Sequence, residues 1–366
     1  MERKLKIIAT VINDVINDQR MIRTCESLAA AGHEVTLIGR RLSETPVEQR
    51  NYRQKRLRFI LKGGPMFYLA YNLRLFLRLL FSKWDVVHTV DLDTLGAGFL
   101  SSRIKGKKLV YDAHEYFTEV PELIGKTNKQ KIWKTIERFV VPKADLNITV
   151  SQGIADRFTD EYGKPFEVIR NVPNPGTVSS SDFFKVGYDR YILYQGALNK
   201  GRGLELLIDS MKDIPLDLVI AGRGDIEKEL KETTRNLNLQ DRIHFVGMQS
   251  PNNLKVLTQQ AYIGYNVSEN LGFSYYHSLN NKFFDYIHED LPAITNAYPE
   301  YVALNKQYEC SIMVDHNRDD IIQAVLLLLN DEQRYAFLKK NCNIAKQELN
   351  WIEEEKKLIA AYAQLR

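Results

Sequence analysis

Residues 191–211 read YILYQGALNKGRGLELLIDSM. Residues 191–194 form an apolar run of strand length, residues 195–202 a glycine-rich turn, and residues 203–211 carry apolar side chains at helical spacing. A strand entering a helix through a short turn is half of a βαβ unit. The order repeats at once, with a strand at 216–221 (LDLVIA), the turn Gly222-Arg223-Gly224 and a helix over 225–237. Downstream, strands are predicted at 244–246, 261–265, 292–295 and 310–314. They are separated by helices at 254–260, near 281–288, and over 317–348 and 351–365. Strands alternating with helices specify a parallel sheet covered on both faces.

Upstream the same grammar appears. Strands are predicted at 5–10, 34–39, 57–61, 85–89, 108–111, 146–150 and 167–169, with helices over 18–31, from Phe67, from Leu92 and from Gln152. Between the two series, NVPNPGTVSSSDFFKVGYDR (171–190) breaks the pattern with prolines and serines and reads as a linker. The fold class is therefore α/β, with two Rossmann-like doubly wound domains. The first covers 1–175, the linker 176–190, and the second 191–350. Domains of this kind bind ligands at the carboxyl ends of their strands, and two in tandem place a cleft between them.

Composition narrows the classes. The 366 residues are 44% hydrophobic and 26% charged, an ordinary globular mix. Cys25, Cys310 and Cys342 are scattered, with no metal-ligand spacing and no disulfide framework, which suits a reducing, cytoplasmic setting. No targeting or spanning segment is read; the apolar zone 67–81 carries Arg74 and Arg78 and is short for a bilayer. Residues 1–180 hold 29 Lys and Arg against 20 Asp and Glu, whereas 181–366 hold 21 against 26. A basic first half suggests an anionic partner. Aromatic residues do not interleave with the basic run 50–58 (RNYRQKRLR), which argues against nucleic acid. The run 67–84 is either a helix packed on the first sheet or one that also rests on an anionic membrane.

Three turns carry the chemistry. Gly196 opens a turn that holds Lys200 and Arg202 and leads into a helix, a natural place for phosphate. A plain βα turn with solvated basic residues would use the same residues. The second turn, Gly222-Arg223-Gly224, could bracket the same pyrophosphate. In the third element, SLNNKFFDYI (278–287), Asn280 or Asn281 can cap a helix, and Asp285 could accept two sugar hydroxyls or simply complement the helix dipole. In the first half, Asp18, Arg20, His88, Asp91 and Asp93 fall at or beyond strand ends and are candidates for acceptor hydroxyls or phosphate; His88 could equally be structural.

QGALNKGRGLELLIDSM, LVIAGRGDIEKEL, IHFVGM and NNKFFDYIHEDLPAITN, with DVVHTVDLDTL, LVYDAHEYF, ADLNITVS and VIRNVPN before them, together resemble glycosyltransferase family 4, retaining enzymes of the GT-B fold. The resemblance covers nearly the whole chain. It implies a nucleotide-diphosphate sugar of UDP or GDP type as donor, no cofactor and no metal, and a glycan or lipid-linked acceptor in cell-surface polysaccharide or glycolipid synthesis. By the same resemblance, Lys200 and Arg202 neutralise the diphosphate while Gly196, Gly222 and Gly224, with Arg223 between the latter two, line it. Phe245, Gly247 and Met248 flank the base. Asn281, Lys282 and Phe283 hold phosphate through their backbone, Asp285 grips the ribose, and His114 lies close to the transferred sugar. The C-terminal helix 351–366 would cross back onto the first domain. Two positions depart from the pattern: His277 stands where the first acid of the family motif belongs, with Glu269 as a substitute, and Ala197 replaces a common arginine. The expected location is the cytoplasm, with peripheral association at the inner face of the membrane. Two other readings are kept, a nucleotide-sugar 2-epimerase of the same fold and a non-catalytic sugar-nucleotide-binding subunit.

Overall fold

The computed structural model describes residues 3–16, 18–61, 63–120, 123, 125–176 and 187–365. The chain forms two compact units, Met1–Asn171 with Glu353–Arg366, and Val172–Ile352. Most of the proposed linker, residues 177–186, lies outside the described residues.

The first unit holds seven strands: β1 (Lys6–Thr10), β2 (Glu34–Arg40), β3 (Arg53–Leu57), β4 (Val86–Val90), β5 (Lys108–Ala113), β6 (Leu146–Thr149) and β7 (Glu167–Val168). Their order is β3-β2-β1-β4-β5-β6-β7, and every pairing is parallel. The second unit repeats the plan with β8 (Tyr191–Gln195), β9 (Asp217–Ala221), β10 (Ile243–Gly247), β11 (Ile263–Asn266), β12 (Ala293–Asn296) and β13 (Ser311–Val314), ordered β10-β9-β8-β11-β12-β13 and again all parallel. The central strands VVHTV (β4) and YILYQ (β8) are buried at every position, as strands covered on both faces must be. The sheet order reverses between β1 and β4, and between β8 and β11, so each unit has its switch point at the end of its first strand.

Three readings are corrected. The third strand is Arg53–Leu57 (RQKRL), not 57–61. It is the sheet edge, where charged side chains can alternate outward and protect against edge pairing. The basic run is also largely spent inside the unit. Arg50 pairs with Glu26 at 2.6 Å, Arg53 with Glu34 at 3.4 Å, and Arg56 with the buried Asp14 at 2.6 Å. Finally, a helix over Thr127–Val140 was not foreseen, because its start is polar and uncapped. The last helix, Trp351–Ala363, buries Leu358 and Tyr362, and its Glu354 carboxylate accepts from the Arg170 amide at 2.9 Å within the first unit. All three cysteines are free and buried.

Candidate active site

In the second unit the first two glycine turns are laced together. The Gly196 amide donates to the Ala221 carbonyl at 3.0 Å, Leu198 to Arg223 at 3.0 Å, and Gly222 to Gly247 at 2.9 Å. A Cβ on Gly222 would stand 1.9 Å from the Gly196 carbonyl oxygen, at a φ of +153°. The glycine is therefore demanded by turn-on-turn packing, not only by a guest. Gly196 differs: at φ +134° its nearest neighbour beyond the adjoining residues is the Tyr194 hydroxyl, 3.7 Å from a notional Cβ, so its open face can receive a ligand. Gly224 packs on Leu198, Arg223 is exposed, and Phe245, Gly247 and the exposed Met248 finish β10 and the turn after it.

The cations gather at the switch point. Lys200 is exposed. Arg202 lies over the Tyr275 ring at 4.7 Å and donates to Asn280 Oδ1 at 3.3 Å. Its Nε is buried without a hydrogen-bond partner among the described residues. Lys282 is 8% exposed, with Nζ 3.8 Å from the Tyr194 ring centre. Burial, and then the Arg202 charge, push its ammonium well below the ordinary lysine range. Neither Arg202 nor Lys282 has a carboxylate partner among the described residues. Both stand beside the start of the helix Asn281–His288. Asn280 occupies the cap position there, but its side chain turns to Arg202 and to Asn266 and makes no bond to the first helical turn. A helix N-terminus, a buried arginine and a buried lysine with depressed basicity form a site that an anion would relieve.

Asp285 accepts from Gln195 Nε2 at 2.7 Å, and Gln195 Oε1 accepts from Thr258 Oγ1 at 2.9 Å. The strand end thus fixes the carboxylate, an arrangement the sequence did not disclose. Phe283 is buried in the core behind it and Asn281 is exposed. His277 stacks on Phe273 at 4.3 Å, and its Nδ1 is 3.5 Å from Glu300 Oε1. An acid therefore does stand at the departure from the motif, supplied by Glu300. Glu269 sits on the first turn instead, its amide donating to the Gly201 carbonyl at 3.0 Å.

In the first unit the hub is Asp112, a residue outside the sequence-derived set. It is 1% exposed. Oδ1 accepts from Arg20 Nη2 at 2.8 Å; Oδ2 faces Arg20 Nε at 3.3 Å, His88 Nε2 at 3.2 Å and His114 Nε2 at 3.3 Å. With His88 Nε2 donating to the carboxylate, Nδ1 accepts from the Tyr362 hydroxyl at 2.6 Å. Burial opposes the Asp112 charge, but Arg20 and the histidines outweigh it and hold the carboxyl well below its usual range. Burial likewise disfavours the His114 imidazolium, and Asp112 outweighs that too, so His114 is raised. His114 remains half-buried, and its amide donates to Asp91 Oδ1 at 2.8 Å.

Arg20 and His88 are corrected as acceptor ligands. Both are buried and committed to Asp112, so an acceptor cannot reach them. Asp18 is also spent: its Oδ1 caps the helix Gln19–Ala30 by accepting from Met21 N at 3.0 Å. Asp91 and Asp93 open the helix Asp91–Lys105 and stay half-buried. Asp91 has a φ of +48°, a strained conformation for a non-glycine residue that turns its carboxylate toward His114. Burial raises the Asp91 carboxyl despite His114, and it raises Asp93 to about 7, with Glu115 adding to the effect. Asp93 Oδ1 has no hydrogen-bond partner among the described residues.

Known proteins share this framework. The sucrose-phosphate synthase of Thermosynechococcus elongatus superposes with a TM-score of 0.82 at 18% identity, covering 99% of each chain. Anabaena HepE, crystallised with UDP-glucose, gives 0.78 at 16% identity over 98% of this chain and 99% of its own. These likenesses establish the GT-B fold. A Campylobacter jejuni enzyme, N-acetylgalactosamine-N,N'-diacetylbacillosaminyl-diphospho-undecaprenol 4-alpha-N-acetylgalactosaminyltransferase, is 25% identical over 157 residues, 41% of this chain and 43% of that one. The chain spans half or less of the length of the curated relatives it matches. The model for Glycosyltransferase Family 4 matches residues 19–175, and that for Glycosyl transferases group 1 matches residues 180–344. With both halves matched in order, the chain belongs to glycosyltransferase family 4.

Proposed function

We propose that the protein transfers a sugar from a nucleotide-diphosphate sugar, of UDP or GDP type, to a lipid-linked or glycan acceptor with retention of configuration. One observation carries the donor assignment: Arg202 and Lys282 crowd together without a carboxylate, at a helix start and beside a glycine turn with an open face. A diphosphate supplies the missing negative charge. In this reading Asp285, held by Gln195, accepts from ribose hydroxyls, and the end of β10 (Phe245, Gly247, Met248) meets the base.

As the glycosyl bond breaks, negative charge grows on the leaving diphosphate. Lys200, Arg202, Lys282 and the helix amides are aimed at that charge and lower the barrier, the role that oriented donors play in oxyanion sites. The reading is metal-independent: these cations take the neutralising part. His114, raised by Asp112, can donate a hydrogen bond to a sugar hydroxyl, and the acceptor hydroxyl attacks from the face that the leaving diphosphate vacates, its proton passing to a diphosphate oxygen. The undecaprenol-linked substrate in the name of the C. jejuni relative supports a lipid-linked acceptor. No described helix is long and apolar enough to cross a membrane, so such an acceptor implies contact with the membrane face. We place the protein at the cytoplasmic face, where nucleotide-sugars are made.

A panel of UDP- and GDP-sugars scored by thermal shift, then incubated with and without cell lipid extract in the presence of EDTA, tests the reading. Expected are a shift from one donor and release of nucleotide only when lipid is present. Epimer formed without lipid, binding without turnover, or turnover abolished by EDTA would overturn the corresponding part. Replacing Lys200 and Arg202 together by alanine should sharply lower the rate.

A further inference from the structure

The helix Pro65–Leu80 has two apolar faces. Phe67, Tyr71, Leu75 and Leu79 are buried on the sheet. Leu69, Leu73 and Leu77 point to solvent, with Leu69 62% and Leu73 56% exposed. Leu69 and Leu73 belong to one wall of a groove of about 630 Å³ between the helices Pro65–Leu80, Asp91–Lys105 and Thr127–Val140. Tyr68, Phe76, Leu100, Ile132, Trp133 and Ile136 complete the lining. Phe81 and Phe139, at the ends of two of these helices, are exposed as well. A groove of this length and apolarity, open along a monomer's surface, marks a binding site.

Charge selects the kind of guest. No Asp or Glu occurs from residue 49 to residue 84. Lys129 lines the groove, and it and Lys131 on the same helix are exposed and have no ion pair among the described residues, unlike the paired Arg53 and Arg56 of β3. An apolar trough with a cationic rim fits a hydrocarbon chain that ends in a phosphate-linked head.

Direction selects its role. The three helices follow β3, β4 and β5 in a parallel sheet, so they begin at the carboxyl edge of the strands, the edge that carries Asp91, Asp93 and His114. Asn72, which lines the groove, donates to the Asp93 carbonyl at 2.8 Å. Gly64, Pro65, Leu92 and Lys129, at the starts of the three helices, line the groove, so one end of it faces that same edge.

We propose that the groove seats the hydrocarbon chain of the lipid-linked acceptor, with its head toward the strand edge that carries Asp93 and His114. The proposal rests on the acceptor reading above and adds the place where the chain lies. Its test does not need turnover. The native cysteines are buried, so Leu73→Cys in the full chain supplies an accessible thiol in the groove. Farnesyl phosphate should slow alkylation of that thiol by a water-soluble maleimide about tenfold at roughly ten times its dissociation constant. Isopentenyl phosphate, with the same head and almost no chain, should not. Leu69→Cys is the second probe, and both variants should melt as the wild type does. Equal protection by isopentenyl phosphate, protection by phosphatidylglycerol vesicles alone, protection that rises with protein concentration in the absence of lipid, or none at all would overturn the proposal. A protein that binds a nucleotide-sugar yet leaves both thiols open refutes the groove alone. Chain-dependent protection without nucleotide binding refutes the donor reading alone.

Discussion

Asp112→Asn is the sharpest perturbation the first unit offers. The two oxygens of Asp112 accept from opposite sides, Oδ1 from Arg20 Nη2 and Oδ2 from Arg20 Nε and two histidines. An amide keeps one oxygen and turns the other position into a donor. Whichever way it flips, donor meets donor on one side, and Arg20, 3% exposed, is left as a buried cation with no counter-charge, held by one amide oxygen and the Ile169 carbonyl at 2.7 Å. Breaking one side of a buried pair costs about 3–5 kcal/mol. For a unit of this size each kcal/mol is worth ~2–4 °C, so the first unit should melt about 6–20 °C lower.

The variant also has a pH signature. His114 is raised in the folded protein by Asp112, so the stability from that contact is complete below the ordinary imidazole pKa of about 6.5 and is lost as pH rises through the folded value. In Asp112→Asn the imidazole should titrate lower, because burial is then opposed by Asp91 alone, and the Asp112 part of the pH dependence should vanish. Scanning calorimetry of the full chain from pH 5 to pH 8, about the range in which histidines titrate, together with the His114 ring resonances, reads both effects. A double cycle with Arg20→Gln isolates the pair: the two losses should be far from additive. A melting change of only a degree or two, or a His114 titration that does not move, would refute the account of Asp112 as the hub.

Lys282→Met should leave thermal stability unchanged or raise it, since an ammonium that burial disfavours is replaced by an apolar chain, yet nucleoside diphosphate affinity should fall ~10–100-fold by titration calorimetry. Because the depressed lysine regains its proton beside a diphosphate, wild-type binding should take up protons below the ordinary lysine range, measurable as a dependence of the binding heat on the buffer's ionisation enthalpy; Lys282→Met should lose that uptake. Gly222→Ala must push the Gly196 turn away, because the added carbon would lie 1.9 Å from its carbonyl oxygen. The expected cost is at least ~1–3 kcal/mol from backbone strain, with weakened nucleotide binding in the thermal-shift panel.

The glycine turns and the sheet order were legible because parallel strands are buried on both faces and leave continuous apolar runs such as YILYQ. β3 was displaced by four residues because an edge strand tolerates alternating Arg and Lys, and RQKRL then looks like a solvated charge run. The helix Thr127–Val140 was missed because its start is polar and uncapped, although Ile132, Trp133, Ile136 and Val140 recur at helical spacing behind it. At the site, residues adjacent in sequence were found and residues brought together by the fold were not. Asp112, His88 and Tyr362 meet across a separation of 274 positions between the last two, which no local pattern records. A pattern cue did exist for Lys282: it lies one turn before Tyr286, on the buried side of its helix.

Net charge does not by itself locate an anion site. Residues 1–180 are basic and 181–366 acidic, yet much of the basic excess of β3 and its approach is cancelled locally by Glu26, Glu34 and Asp14. The acidic half holds the cations that lack a carboxylate at depth. What decides anion binding is whether a cation is paired and how far it lies from water, and both properties belong to the fold rather than to the composition. Salt separates the two cases. Counter-ions screen the exposed Arg78, Lys83, Lys129 and Lys131 but reach Lys282 poorly. Nucleoside diphosphate affinity should therefore outlast a salt concentration that strips the first unit from phosphatidylglycerol vesicles. If both fall together, the buried cations are not what holds the diphosphate.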